Sequence, residues 1–419
     1  MLERRLLFEI FEEKVPLIRE IKWQIFEKAL RFFTTICISI LIANFLSTED
    51  FGKYTYTVSI LTIWIGASNL GMSNLIVAQI SKYKINQERI ISAFLKIRVI
   101  SSLVLFLTFF IYALINFRLG LFLILTVLFS FLDVFEFYNQ GKLRLISNTK
   151  AKIIAYLFGF TLKLIAIFYF KSYELALFFY SLEFCFAYFL IFKYSRLNLY
   201  KLLFRKVDNK LLRATLKKMI PLSLTPFLMI ITTKLDILII KHKFGFSLLG
   251  EYSVLSQVIM LWSIFPVMLT NYHLPRLAKI CATSIDTYHR ELRRYGSIYL
   301  LIGLCLTFIS LIVFHLQYWL LNYENNSIYF AGIILCFINI PTSTSLLQIQ
   351  IIAINNLQIY SLIKVCINFI SMIVVSLFLI NHIGIIALPI SINFALFLSE
   401  FVLPKFFNNN IKYIYKFRI

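Results

Sequence analysis

From Tyr295 to Leu316 the chain carries no Asp, Glu, Lys or Arg. Such a stretch suits an α-helix crossing the ~30 Å hydrocarbon core of a bilayer, which takes about 20 residues. The pattern recurs at 29–47, 55–80, 93–117, 119–139, 153–170, 174–192, 219–240, 252–272, 295–316, 328–347, 359–380 and 384–403. The sequence therefore predicts an all-α polytopic membrane protein with about twelve transmembrane helices. Backbone polar groups must be satisfied within lipid, and the period-two alternation of barrel strands is absent, which leaves helices. Within the second stretch, NLGMSNL is placed to break or tilt the span.

Sixty per cent of the residues are hydrophobic and 15% are charged, where soluble domains average about a quarter charged. The net charge of +22 would suit nucleic acid only as a basic face on a water-soluble domain. Here the cations lie between apolar stretches, so membrane lipids are the expected partner and no nucleic acid is expected. The six cysteines show no pair spacing and are expected as buried free thiols. The five histidines form no metal motif, so neither metal nor cofactor is expected. No secretory signal is expected either: six Glu fall in the first 28 residues, without an uninterrupted apolar core. MLERRLLFEIFEEKV predicts a short interfacial helix ended by Pro16.

Lys and Arg fall unevenly on the two sides. Alternate segments hold 33 on one side and 5 on the other, with Arg98, Lys163, Lys234 and Lys364 inside spans. The positive-inside rule then puts both termini in the cytoplasm.

The longest basic segment, 193–218, lies between the sixth and seventh spans. It divides the chain into an N-terminal lobe (1–192), a cytoplasmic linker (193–218) and a C-terminal lobe (219–419). Each lobe carries the same word: Gly52-Lys53-Tyr54-Thr55 in one and Gly250-Glu251-Tyr252-Ser253 in the other. Both are expected in an external loop after the lobe's first helix, with Tyr in the interfacial belt. Two six-helix lobes in the same orientation are parallel repeats, an architecture of alternating-access transporters.

LSTEDFGKYTYTVSILTIWIGASNLGMSNLIVAQISK (46–82), NQGKLRLISNTKAKIIAYLF (139–158), TKLDILIIKHKFGFSLLGEYSVLSQ (233–257) and LPRLAK (274–279) together resemble polysaccharide flippases. These are the O-antigen (Wzx-type) transporters of the multidrug/oligosaccharidyl-lipid/polysaccharide exporter superfamily. One departure is Asn69, where members often carry an acid. The resemblance implies transfer of undecaprenyl-diphosphate-linked oligosaccharide from the cytoplasmic to the periplasmic leaflet of a bacterial inner membrane. It further implies work beside a polysaccharide polymerase and a chain-length regulator, without catalysis by this chain.

Ionisable groups in mid-bilayer cost at least ~2.5 kcal/mol each and face a cavity or a partner. Lys163 and Glu183 both fall mid-span on adjacent helices and are expected either to pair or to serve transport. Asp133, Glu136 and Gln140 form one helical stripe. Arg31, Arg98 and Lys364 lie near the cytoplasmic side, where snorkelling is expected. A diphosphate needs cations in a wet cleft, and the resemblance puts the first helix of each lobe along it. The candidates are Arg31 and Lys234, then Lys163. Asp236, Asp133, Glu136 and Glu183 are candidates for a coupling proton or sodium ion, or for charge balance.

A polytopic polymerase would need a large external loop with catalytic Arg or His. The longest external loop expected here, QYWLLNYENNS (317–327), has no Arg, Lys or His. A multidrug/cation antiporter of the same superfamily remains the alternative.

Overall fold

The computed structural model describes residues 2–406, apart from 70, 83–86, 117, 208, 264, 268, 271–272, 274–276, 278–279, 282–283, 321–324 and 356, with most side chains from residue 22 onward. Among the described residues every regular element is helical. Eight apolar segments are long enough to span a membrane. Two of them, Ser223–Val267 and Ile359–Phe406, run to 45 and 48 residues; the second contains two of the twelve predicted spans and the first overlaps two. The predicted span 29–47 lies in a helix that begins far upstream, and 55–80 is broken in two.

The chain divides into two compact units, Met1–Phe227 and Leu228–Ile419. The first opens with α1 (Leu2–Phe45), which continues through Pro16 instead of ending there. A proline removes one backbone hydrogen bond, which kinks a helix without necessarily stopping it. Helices α2 (Thr48–Asn69) and α3 (Met72–Lys82) follow, separated at Gly71, whose φ of 65° is left-handed. NLGMSNL thus breaks the second span at its glycine, the residue that adopts this conformation without Cβ strain.

Next come α4 (Gln87–Asn116), α5 (Ile124–Leu128), α6 (Asp133–Gly141), α7 (Leu145–Phe168) and α8 (Tyr173–Ser195). Helix α7 packs on both α1 and α8, and α3 packs on α6. The basic segment beyond α8 is folded. Its helix α9 (Leu199–Phe204) sits on α4: Ser92 Oγ donates to the Leu202 carbonyl at 2.6 Å, and Glu88 bridges Arg205 at 2.6 Å. Leu202 and Met219 join the core formed by Ile76, Phe94 and Phe135. Helix α10 (Asn209–Thr232) carries the boundary between the units.

The second unit comprises α11 (Leu235–Leu261), α12 (Ile285–Leu320), α13 (Asn326–Cys336), α14 (Asn339–Ile354), α15 (Gln358–Ile383), α16 (Ala387–Phe397) and α17 (Leu403–Phe406). A π-turn, Leu398–Val402, joins the last two. Tyr288, Tyr295, Tyr299, Leu347 and Ile351 share one core cluster. Helix α11 is kinked at Gly245 (φ 86°, ψ −173°).

That geometry corrects the reading of the repeated words. Gly52 and Gly250 are buried inside helices, not in loops, and the turns fall at Leu46–Ser47 and Gly245. The tyrosines leave the interfacial belt as well: Tyr54 and Tyr252 are both buried. Each stands near a carboxylate, Tyr54 within electrostatic reach of Glu183 and Tyr252 bonded to Asp236. Of the 317–327 loop, residues 317–320 complete α12 and 321–324 lie outside the described residues, as does LPRLAK apart from Leu277.

Candidate functional site

The N-terminal unit contains a chain of buried charge that starts at the first turn of α6. Asp133 and Glu136 sit there, both buried. Arg98 of α4 is fully buried and grips Asp133 with two nitrogens: Nε to Oδ1 at 3.0 Å and Nη2 to Oδ2 at 2.6 Å. One turn on, Glu136 Oε1 receives Lys152 Nζ of α7 at 2.6 Å and Gln140 Nε2 at 3.2 Å. Asn139 Nδ2 donates to Asn148 Oδ1 at 2.8 Å, and Asn148 donates to the Glu136 carbonyl at 3.0 Å. The predicted stripe is therefore real, and it serves to lock α4, α6 and α7 together.

Deeper along α7, Lys163 Nζ meets Glu183 Oε2 of α8 at 2.6 Å and lies 5.5 Å from the centre of the Tyr180 ring. Lys163 is 7% exposed. Removing one partner of a buried pair strands the other in a low dielectric, so the two are structurally interdependent. Of the two roles expected for these residues, pairing is the one the structure displays.

Arg31 differs from every cation so far. It lies on α1, is exposed, and holds its guanidinium 6.0 Å from the centre of the Tyr156 ring on α7. Glu27, Tyr180, Tyr188 and Glu183 are within electrostatic reach. No carboxylate among the described residues is bridged to it. Among the described residues Arg31 thus bridges no acid, and an aromatic face orients it.

Two candidates belong to the second unit. Asp236 is buried in the first turn of α11, where Oδ1 accepts from the Ile237 N–H at 2.8 Å and Oδ2 accepts from Tyr252 Oη at 3.1 Å. Lys234, half-buried, precedes the same helix and acts electrostatically on Asp236.

Comparison with known families now supplies a context. The family model described as "Polysaccharide biosynthesis protein" matches residues 24–281, more than half of the chain. The chain belongs to this polysaccharide biosynthesis protein family. Comparison with curated proteins finds no match. Among solved structures, an inward-facing multidrug resistance MATE family transporter of the MOP superfamily is similar at 14% identity, with a TM-score of 0.71 over 92% of this chain and 96% of that one. The lipid II flippase MurJ, in an inward closed conformation, is similar at 14% identity, with a TM-score of 0.70 over 95% and 86%. A Vibrio cholerae MATE transporter gives 13% identity and a TM-score of 0.64 over 93% and 95%. These likenesses establish a shared transporter fold, and both lipid and drug transporters have it.

In this member of the family, snorkelling fails as an account of two cations. Helix α4 starts at Gln87, ahead of the predicted 93, which carries Arg98 eleven residues, ~16 Å, into the helix. Lys364 is only six residues into α15 yet 7% exposed. There the π-turn brings Glu400 against it at 2.7 Å, while Gln348 Oε1 at 2.9 Å and Ser345 Oγ at 3.3 Å complete the cage. Glu400 was not singled out from the sequence, because a residue near a span's end gives no sign that a π-turn will aim it inward. Opposite charges at matched depth in successive spans would have marked Arg98 with Asp133.

Proposed function

We propose that the protein is a flippase that moves undecaprenyl-diphosphate-linked oligosaccharide from the cytoplasmic to the periplasmic leaflet of a bacterial inner membrane. The observation that carries this reading is Arg31, an exposed guanidinium oriented by Tyr156 and bridged to no described carboxylate. Membership of a polysaccharide biosynthesis family and a fold shared with a lipid II flippase support it. A diphosphate is recognised best by a planar, always-charged fork, so Arg31 is the first contact. Lys234 is the second. Lys163, neutralised by Glu183, holds α7 to α8 and follows only if that pair opens. Asp133 and Glu136 balance Arg98 and Lys152. Asp236, held by a tyrosine hydroxyl, is the candidate for a coupling proton or sodium ion. Both termini then lie in the cytoplasm, and the delivered repeat unit passes to a periplasmic polymerase and its chain-length regulator.

The test is deletion in the native host, with complementation by wild type or by Arg31→Ala, following the lipid-linked repeat unit in each leaflet. Cytoplasmic accumulation with loss of surface polysaccharide, restored by wild type alone, is expected. Unchanged surface polysaccharide with raised drug sensitivity would instead favour a multidrug antiporter.

A further inference from the structure

Three segments of the second unit meet around one ammonium. Lys364 Nζ of α15 lies 2.7 Å from Glu400 Oε1 and 2.9 Å from Oε2, astride the carboxylate that the π-turn carries. From α14 come Gln348 Oε1 at 2.9 Å and Ser345 Oγ at 3.3 Å. The Gln348 amide is fixed at its other end, where Nε2 donates to the Glu400 carbonyl at 2.9 Å. Lys364, Gln348 and Glu400 are all buried. An ammonium has three donors and no acceptor, and three oxygen-bearing side chains face it. Lys163 is placed differently, against one carboxylate and an aromatic ring, which makes an ion pair and not an oxygen cage.

Taken without the lysine, the cage is a set of hard donors: a bidentate carboxylate, an amide carbonyl and a hydroxyl. Charge and size then choose the ion. Glu400 supplies one negative charge, and the described residues contain no group of three His, Cys, Asp or Glu that could hold a metal, so a divalent ion would stay half-neutralised. The oxygens stand 2.7 to 3.3 Å from the centre, beyond the ~2.3–2.6 Å of calcium and the ~2.0–2.1 Å of magnesium. A large monovalent cation, potassium or ammonium, suits that spacing.

We propose that Ser345, Gln348 and Glu400 form a monovalent-cation site whose native occupant is Lys364 itself. The lysine is a cation on a tether, and a tethered ligand binds without drawing on the surrounding solution. The site therefore ties α14, α15 and the π-turn together whatever salts bathe the membrane, and a coupling ion must bind elsewhere. The assignment goes beyond the flippase reading and does not rest on it.

Full-length wild type and Lys364→Ala are purified in choline chloride, and thermal unfolding is followed as potassium, ammonium or lithium replaces choline at constant ionic strength. Lys364→Ala is expected to unfold below wild type in choline. Potassium or ammonium then raises its unfolding temperature by about 3–5 °C per tenfold in concentration once the site is filling, while lithium does not. Wild type, its site already filled, shows no such rise, and Lys364→Ala combined with Glu400→Gln loses it. An equal rise in wild type or with lithium overturns the site. So does recovery of Lys364→Ala by acid in place of potassium, which would mean that Glu400 takes a proton and not a cation. Absence of any potassium-dependent gain in Lys364→Ala, whether or not that variant folds in choline, overturns it too.

Discussion

Gly159 lies directly beneath the Glu183 carboxylate: a Cβ at that position would overlap the carboxylate oxygen and Cβ of Glu183. The mid-membrane pair between Lys163 and Glu183 therefore depends on a third residue that carries no charge. Gly159→Ala forces Glu183 off Lys163 and is expected to destabilise the unit by about 3–5 kcal/mol, the cost of breaking a buried pair. Adding Glu183→Gly to Gly159→Ala removes both the carboxylate and the Cβ that overlap, so the two changes are expected to be strongly non-additive. Thermal unfolding of the four variants in one detergent checks this.

Arg98 and Arg31 are both arginines of the N-terminal unit, and their substitutions are expected to behave in opposite ways. Arg98→Ala leaves Asp133 buried alone and is expected to cost about 3–5 kcal/mol, so little protein reaches the membrane. Arg31→Ala loses a cation–π contact worth about 0.5–2 kcal/mol; the protein folds and reaches the membrane but does not transfer cargo. Membrane abundance measured beside leaflet transfer separates the two.

Lys364 is held by oxygens from three directions, Glu400, Gln348 and Ser345. A compact ammonium suits that cage and a planar fork does not. Lys364→Arg is therefore expected to lower the unfolding temperature despite keeping the charge, by an amount comparable to an overpacked core, about 1–3 kcal/mol.

Asp236→Asn preserves a partner for Tyr252 and is expected to fold with an unchanged melting temperature. If Asp236 carries the coupling ion, transfer by this variant no longer responds to a collapsed ion gradient. Transfer that still follows the gradient in Asp236→Asn removes the residue from coupling.

Leu202 is the buried anchor of α9, and fully burying such a side chain contributes about 1.5–3 kcal/mol. Leu202→Ser is expected to release α9 from α4 and expose 198–207 to proteolysis. Glu88→Gln, which loses only a partly exposed bridge, is expected to change the cutting little. Limited proteolysis of both variants provides the comparison.

Much of the fold was legible because it is dictated by the solvent. Apolar stretches of membrane length read directly as helices, and NLGMSNL marked a break that Gly71 makes. The Lys163–Glu183 pairing was legible for the same reason, since two opposite charges at one depth have few other ways to be accommodated. What could not be read were features set by tertiary approach. Whether Gly52 and Gly250 lie in a loop or a helix depends on where the preceding turn closes, and that is set by Gly245 in one case and by Leu46–Ser47 in the other. Arg98 and Lys364 looked free to snorkel because nothing in their own helices reveals a carboxylate arriving from α6 or from a π-turn. The exposure of Arg31 was equally hidden, because it depends on α7 offering Tyr156 instead of an acid.

The short connection between α7 and α8 has a consequence for biogenesis. Only Tyr169–Ser172 separate the two helices, and Ser172 caps the second by accepting from the Leu175 N–H at 3.2 Å. Lys163 emerges from the ribosome before Glu183, so α7 on its own carries an uncompensated charge, worth ~2.5–3.5 kcal/mol against partitioning into lipid. Its mate follows twenty residues later on a tightly turned second arm. The two arms are therefore suited to leave the insertion machinery together, as one helical hairpin already neutralised inside.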